Sequence, residues 1–289
     1  MTQYIARFDP VNLGAVIPVP PLTSGSGPAF PGLLVYPGIY SYNGVDYDMT
    51  EQGLYVFHHP HTPEQQWRDG GWRIVYAGDF YLLMQAVATL CVYGAKHNGL
   101  SNTIKTNTAR STKLSMQCGD TINWARHLVS ISTHAFPTRI ARVLTALTPN
   151  GWDEGHVLLE AFVDGAWRLW DLAFDRFYVS SKGEHLSLLE YADSSPVSPL
   201  SVTIAKGQVD NGNDEAGIHC PANAALQWGT EERIQEWLDD KFQIFGLDSN
   251  GLTYWYLPQG AEDRASWVLG LDPSYRVVSR ETWIQMFYQ

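Results

Sequence analysis

From His156 to Val163 the chain alternates in a way that points to a half-buried β-strand. His156, Leu158, Glu160 and Phe162 share one face, and Val157, Leu159, Ala161 and Val163 share the other. Asp164-Gly165 then supplies a tight two-residue turn, and Ala166 to Asp171 returns as the second strand of a hairpin. Such a turn fixes the register, placing Asp171 opposite Leu158 and Ala173 opposite His156. His156 and Asp171 become diagonal neighbours on one face, roughly 7–8 Å apart at the backbone and within side-chain reach. A three-residue loop with a bulge would break that parity.

An imidazole steered by an acid is chemically useful when a nucleophile faces it. Cys118 sits where a helix should begin: Ile122, Ala125, Leu128, Val129 and Ser132 recur at helical spacing after it, with Trp124 and Arg126 turned elsewhere. At that first turn, free backbone N–H groups and the positive end of the helix dipole favour thiolate, the reactive form of cysteine. Asp120 in the same turn opposes this if it lies close. The competing carboxylates Asp153, Glu154, Glu160 and Asp175 lack the register of Asp171.

The ordered Cys, His and Asp, the helix after Cys118 and the Phe136-Pro137-Thr138-Arg139 step into a strand resemble the transglutaminase-like superfamily. Gln117-Cys118 is similar to the Gln-Cys pair of animal transglutaminases. The triad spacing is also similar to that of arylamine N-acetyltransferases, whose Arg-Gly-Gly-x-Cys signature is replaced here by Ser-Met-Gln-Cys. The resemblance covers about residues 80–180. It implies an α+β fold with a papain-like core, in which the helix bearing the Cys packs on an antiparallel sheet bearing the His and Asp. It also implies a Cys118-His156-Asp171 triad whose oxyanion is held by the Cys118 backbone N–H and by a second donor from upstream. Gln85, Trp72 and Tyr81 are the candidates for that donor. Animal transglutaminases use calcium, but this sequence has no carboxylate-rich loop with calcium-ligand spacing.

Three regions are expected: an arm with short strands over 1–78, the catalytic core over 79–180 and an aromatic-rich C-terminal extension or subdomain over 181–289. The arm carries the Pro/Gly/Ser-rich stretch 10–44, then strands at Gly53 to His58 and Trp72 to Ala77. His58, His59 and His61 lie in a Pro-broken loop and are read as solvated rather than as a metal site. A helix is expected from Asp79 to His97, with Cys91 as a small core hydrophobe, and a polar loop from Asn98 to Lys113. Downstream, Arg176 to Tyr178 should be extended, Glu184 to Tyr191 a short helix, and Ser194 to Pro199 a linker. Residues 206–222 read as a loop whose His219-Cys220 pair is a weaker rival thiol site. Thr230 should cap a helix; strands follow at Leu252–Leu257 and Ser266–Leu269, and a helix at Glu281 to Phe287. Tyr254-Trp255-Tyr256 must alternate faces if extended, leaving one side for a second layer or a binding surface.

A net charge of −11 with no Lys/Arg cluster argues against nucleic acid as a partner. The chain shows no leader and no eighteen-residue apolar run, so no membrane span is expected. Three dispersed cysteines do not make a disulfide framework, which suggests a soluble, cytoplasmic protein. No cofactor and no metal is called for. The expected activity is acyl transfer from an amide (peptidase, amidase or transglutaminase-like) on a peptide, protein or small amide substrate. The alternatives are an amide-forming acyltransferase using a thioester donor, and a silent binding module on the same fold.

Overall fold

The structure, a computed structural model, describes residues 80–289 apart from 110–113, 132–135, 147–154, 195–198 and 204–230; before residue 80 it describes the backbone of short strands. Those strands are β1 (Gln3–Phe8), β2 (Leu13–Val19), β3 (Leu34–Val35), β4 (Gly38–Tyr42), β5 (Val45–Met49), β6 (Leu54–His58) and β7 (Val75–Tyr76). β1 lies between β2 and β6, β4 pairs with β5, and β3 runs parallel to β7. Trp72, His59, His61, His219 and Cys220 lie outside the described residues.

Helix α1 (Phe80–Leu90) ends sooner than its apolar stripe predicts. Cys91-Val92-Tyr93 leaves it as strand β8 (Cys91–Tyr93), running parallel to β9 (Leu114–Met116). The polar stretch expected as a loop contains α2 (Asn102–Thr108), whose Ile104 N–H donates to the Ser101 hydroxyl at 3.4 Å, a local N-terminal contact. The next helix is α3 (Cys118–Ile131). Ile122, Ala125, Leu128 and Val129 are buried in it as expected, but so is Trp124. Helix α2 provides the reason: Trp124 Nε1 donates to Thr106 Oγ1 at 3.1 Å, so the side turned away from the apolar stripe is covered as well.

The fold is α+β, built on a large, mostly antiparallel sheet. Its strands are β10 (Thr138–Leu144), β11 (Gly155–Val163), β12 (Ala166–Asp171), β13 (Arg176–Val179), β14 (Leu200–Thr203), β15 (Ile244–Ser249), β16 (Leu252–Tyr256) and β17 (Tyr275–Val278). They lie in the order β14-β13-β12-β11-β10-β15-β16-β17, with a parallel β16–β17 pair at the edge. The 181–289 region therefore adds four strands to the sheet that holds the hairpin. One face of the sheet, with Leu159, Ala161, Val163 and Trp170, packs on α1 and α3. The other, with Ala141, Val143, Leu158, Leu169 and Leu247, is covered by α4 (Leu188–Asp193), α5 (Glu231–Lys241) and, later in the chain, α7 (Arg280–Phe287).

Ser187 caps α4 with a full capping box to Glu190, which explains why that helix starts later than expected. Ser266–Leu269, expected as a strand, is helical within α6 (Ala265–Leu271), where only Val268 is buried. A short apolar run does not by itself separate the two. Trp255 is fully buried on one face of β16, while Tyr254 and Tyr256 pack against Trp283 and Phe287 of α7 on the other. A second layer thus occupies both sides of the aromatic strand.

Candidate active site

The hairpin takes the expected register. Leu159 pairs with Trp170 and Val163 with Ala166 across Asp164-Gly165, both of which take positive φ (53° and 80°). His156 and Asp171 share a face, and His156 Nε2 lies 2.9 Å from Asp171 Oδ1 with both side chains fully buried. Cys118 opens α3, part-exposed, with a hydrogen bond between its sulfur and His156. The structure therefore brings together Cys118, His156 and Asp171.

Backbone parity explains how a sulfur on one helix meets an imidazole on the sheet. Phe162 N–H donates to Pro137 O at 2.9 Å, so the even residues of β11 bond toward β10. The odd residues, Val157 among them, aim their N–H groups toward β12. However, β12 ends at Asp171 and the chain turns over Leu172–Asp175. The position beside Val157 is taken instead by the Cys118 sulfur, to which the Val157 backbone is hydrogen-bonded.

The same reversal furnishes the acid. Asp171 Oδ1 also accepts from the Phe174 N–H at 3.3 Å, and Oδ2 accepts from the Tyr178 hydroxyl at 3.2 Å. The Phe174 ring lies 5.1 Å from the imidazole and stacks on Tyr93 at 5.3 Å, fixing the ring plane from behind. Burial and then the charge of Asp171 push the Tyr178 phenol well above its usual range, so it remains a donor. Asp175 closes the turn at φ 56°, a conformation that Asp tolerates better than most residues.

Burial opposes charge on both reacting groups and loses. For His156 it favours neutral imidazole, but the charge and hydrogen bond of Asp171, followed by those of the sulfur, push it from 6.5 up to about 10. For Cys118 burial raises the thiol, yet the His156 hydrogen bond and charge and the Val157 backbone bring it below its ordinary value. This is the electrostatic pattern of a thiolate–imidazolium pair.

The loop before the nucleophile holds it in place. Gln117 is clamped by Asn98: its backbone N–H donates to Asn98 Oδ1 at 3.0 Å, and its Oε1 accepts from Asn98 Nδ2 at 2.7 Å. Asp120 is bonded to the Gly99 N–H at 3.1 Å and paired with the buried Lys105 ammonium, which offsets the adverse charge expected of it.

Of the upstream oxyanion donors expected, Tyr81 is directed elsewhere: its hydroxyl meets His185 Nδ1 at 3.3 Å and its ring packs edge-on against Trp170. The Gln85 side chain and Trp72 lie outside the described residues, as do Asp153 and Glu154. Arg139, within the Phe-Pro-Thr-Arg step, does not serve the thiol. It pairs with Glu160 at 2.7 Å, donates to Phe287 O at 2.7 Å and stacks over Trp167, tying α7 to the sheet. Val157, Phe174 and Tyr178 went unread in the sequence, although strand parity could have flagged Val157.

Among the described residues, no group of three His, Cys, Asp or Glu is placed to hold a metal, and no helix is long and apolar enough to cross a membrane. No protein-family model, curated protein or solved structure matches the chain.

Proposed function

We propose that the chain is a cysteine-dependent acyl-transfer enzyme with a Cys118-His156-Asp171 triad on a transglutaminase-like, papain-like core. The observation that carries this reading is the buried imidazole between sulfur and carboxylate, 2.9 Å from the acid and hydrogen-bonded to the thiol. A lone cysteine or histidine in a core has no need of that sequence of contacts.

The chemistry follows from the groups present. The thiol proton resides on His156, and the Cys118 thiolate adds to an amide carbonyl. The tetrahedral oxyanion is met by N–H groups of the first turn of α3, which have no acceptor within the helix, the Cys118 N–H foremost. One such donor typically contributes about 3 kcal/mol. Collapse passes the proton from His156 to the leaving amine and leaves a thioester on Cys118. Water or a second amine then gives a proton to His156, attacks the thioester and releases the thiolate.

Mass-resolved labelling tests this. Iodoacetamide at pH 7 should modify Cys118 ahead of Cys91 and Cys220, and His156→Ala should slow Cys118 alone. Peptide amides should leave an acyl adduct on Cys118. Equal labelling of the three cysteines, unaffected by His156→Ala, would refute the reading and leave a silent module on the same fold.

A further inference from the structure

One row of cross-strand neighbours starts at the thiol. Val157, whose backbone bonds the sulfur, is paired with Arg142; Arg142 pairs with Gly246 on its other side, and Gly246 with Trp255. These residues share the sheet face opposite His156. Gly246 has no side chain, and the Trp255 indole fills the place, with a Cβ there falling 2.7 Å from Trp255 Cε3. Arg142 is thus the charged side chain next along the sheet from the nucleophile's own backbone partner.

Its guanidinium is held rigidly and used only in part. Nε and Nη2 each donate to Asp248 at 2.9 Å, and Asp248 Oδ1 is held in turn by the Thr253 hydroxyl at 2.6 Å. That fork consumes the side-on edge. Nη1 has no acceptor among the described residues, and the Arg142 side chain is 29% exposed. Burial disfavours its charge, but the hydrogen bond and charge of Asp248, followed by the charges of Tyr275 and of the Cys118 thiolate, hold the guanidinium above its ordinary value.

The charges around this group narrow its role. Asp248 in contact and Asp272 nearby cancel any broad positive field. What remains is a set of aimed donors, Nη1 and the second proton of Nη2, spaced to match the two oxygens of a carboxylate. A guanidinium anchored by one carboxylate and open at its end is suited to hold a second.

We propose that the open edge of Arg142 receives a carboxylate carried by the substrate beside the reacting carbonyl, making acidic acyl groups the preferred donors. This rests on the acyl-transfer reading above, with Cys118 as the nucleophile. Arg142 is then a specificity-determining residue that binds the substrate and takes no part in bond making.

Two alkylating reagents differing only in charge test it on the intact chain. Iodoacetate carries the carboxylate and iodoacetamide its neutral counterpart, and the readout is the ratio of their rates at Cys118 by mass spectrometry. Arg142→Gln should lower the iodoacetate-to-iodoacetamide ratio about tenfold, the loss of one charge-assisted hydrogen bond. Arg142→Lys should lower it by less, and Asp248→Asn, which removes the competing carboxylate, should raise it. Should Arg142→Gln fail to fold, the Arg142→Lys and Asp248→Asn ratios decide. A ratio unchanged across the variants, or a fall shared equally by both reagents, overturns the carboxylate site and leaves the triad standing. Failure of both reagents to prefer Cys118 in the unaltered chain overturns the acyl-transfer reading, and the site with it.

Discussion

Asp171→Asn separates an ion-paired thiol from an ordinary one. The substitution keeps the side chain's shape and one oxygen to accept from the Phe174 N–H, turns an amide NH2 toward the Tyr178 hydroxyl, and removes the charge facing His156 Nε2 at 2.9 Å. The rise of His156 from 6.5 to about 10 corresponds to about 5 kcal/mol in favour of imidazolium, with Asp171 the largest favourable contributor. Without that charge, burial dominates and the imidazole becomes neutral. The thiol then loses its cationic partner and returns to or above its ordinary 9.0. At pH 7 a thiol at 9.0 is about 1% ionised, so alkylation of Cys118 should slow about a hundredfold. The assay is the iodoacetamide rate from pH 5 to pH 10, with circular dichroism to verify the fold. The unaltered chain should already react near its plateau at neutral pH, because the imidazolium, raised to about 10, keeps Cys118 ionised below the pH at which an ordinary thiol loses its proton. The variant should show one rise centred at or above 9. An unaltered chain with a single rise near 9, or a variant with the same profile, would refute the ion pair.

Other consequences concern stability. Glu160, fully buried, takes Arg139, the Leu188 N–H and the Tyr288 hydroxyl; Glu160→Gln strands the guanidinium and should cost about 3–5 kcal/mol in urea unfolding. A cost below about 1 kcal/mol would show that the pair is replaceable. His185 is pushed down to about 4, by burial first and then by the Arg168 charge, against its bond to Leu169 O. Its contribution is therefore complete above pH 6.5 and lost as pH falls toward 4, about 3 kcal/mol in all. His185→Phe should flatten that part of the acid limb of stability, and an unchanged slope would exclude His185 as its source. Gly246→Ala forces a Cβ to within 2.7 Å of Trp255 and should destabilise by about 1–3 kcal/mol, with a shift in tryptophan emission. Wild-type stability and emission would mean that the indole moves without cost.

What could be read beforehand was local. Alternation through His156–Val163 and the Asp-Gly turn fixed a register that matches the observed pairing, because a two-residue turn leaves no freedom in the count. The start of α3 at Cys118 was likewise legible from apolar spacing. Errors arose where distant chain decided the outcome. Cys91-Val92-Tyr93 continues a helical stripe, but pairing with Leu114–Met116 converts it to a strand, and nothing near it in sequence announces that partner. The apolar spacing turns Trp124 away from the main stripe, and the helix that covers it forms in a stretch whose polarity reads as loop. Arg139 looked like part of a motif leading to the site, yet its partners are Glu160 and the backbone of Phe287. Tyr178 reaches Asp171 only because β13 folds back beside β12, a contact set by topology rather than spacing.

The reversal after Asp171 links these features physically. A strand continuing past Asp171 would place Leu172 beside Val157 and close the ladder, and the Val157 N–H would then be spent on a backbone carbonyl. By ending there, β12 gives its last side chain to the imidazole and leaves the neighbouring donor for the sulfur. The turn that replaces the strand supplies the Phe174 N–H to the same carboxylate and the Phe174 ring to the face of His156. Strand termination, acid placement and thiolate support therefore share one cause. Restoring any one of them by substitution elsewhere would not restore the others. The position of Asp171 at the strand's end is thus as much a requirement of the site as its charge.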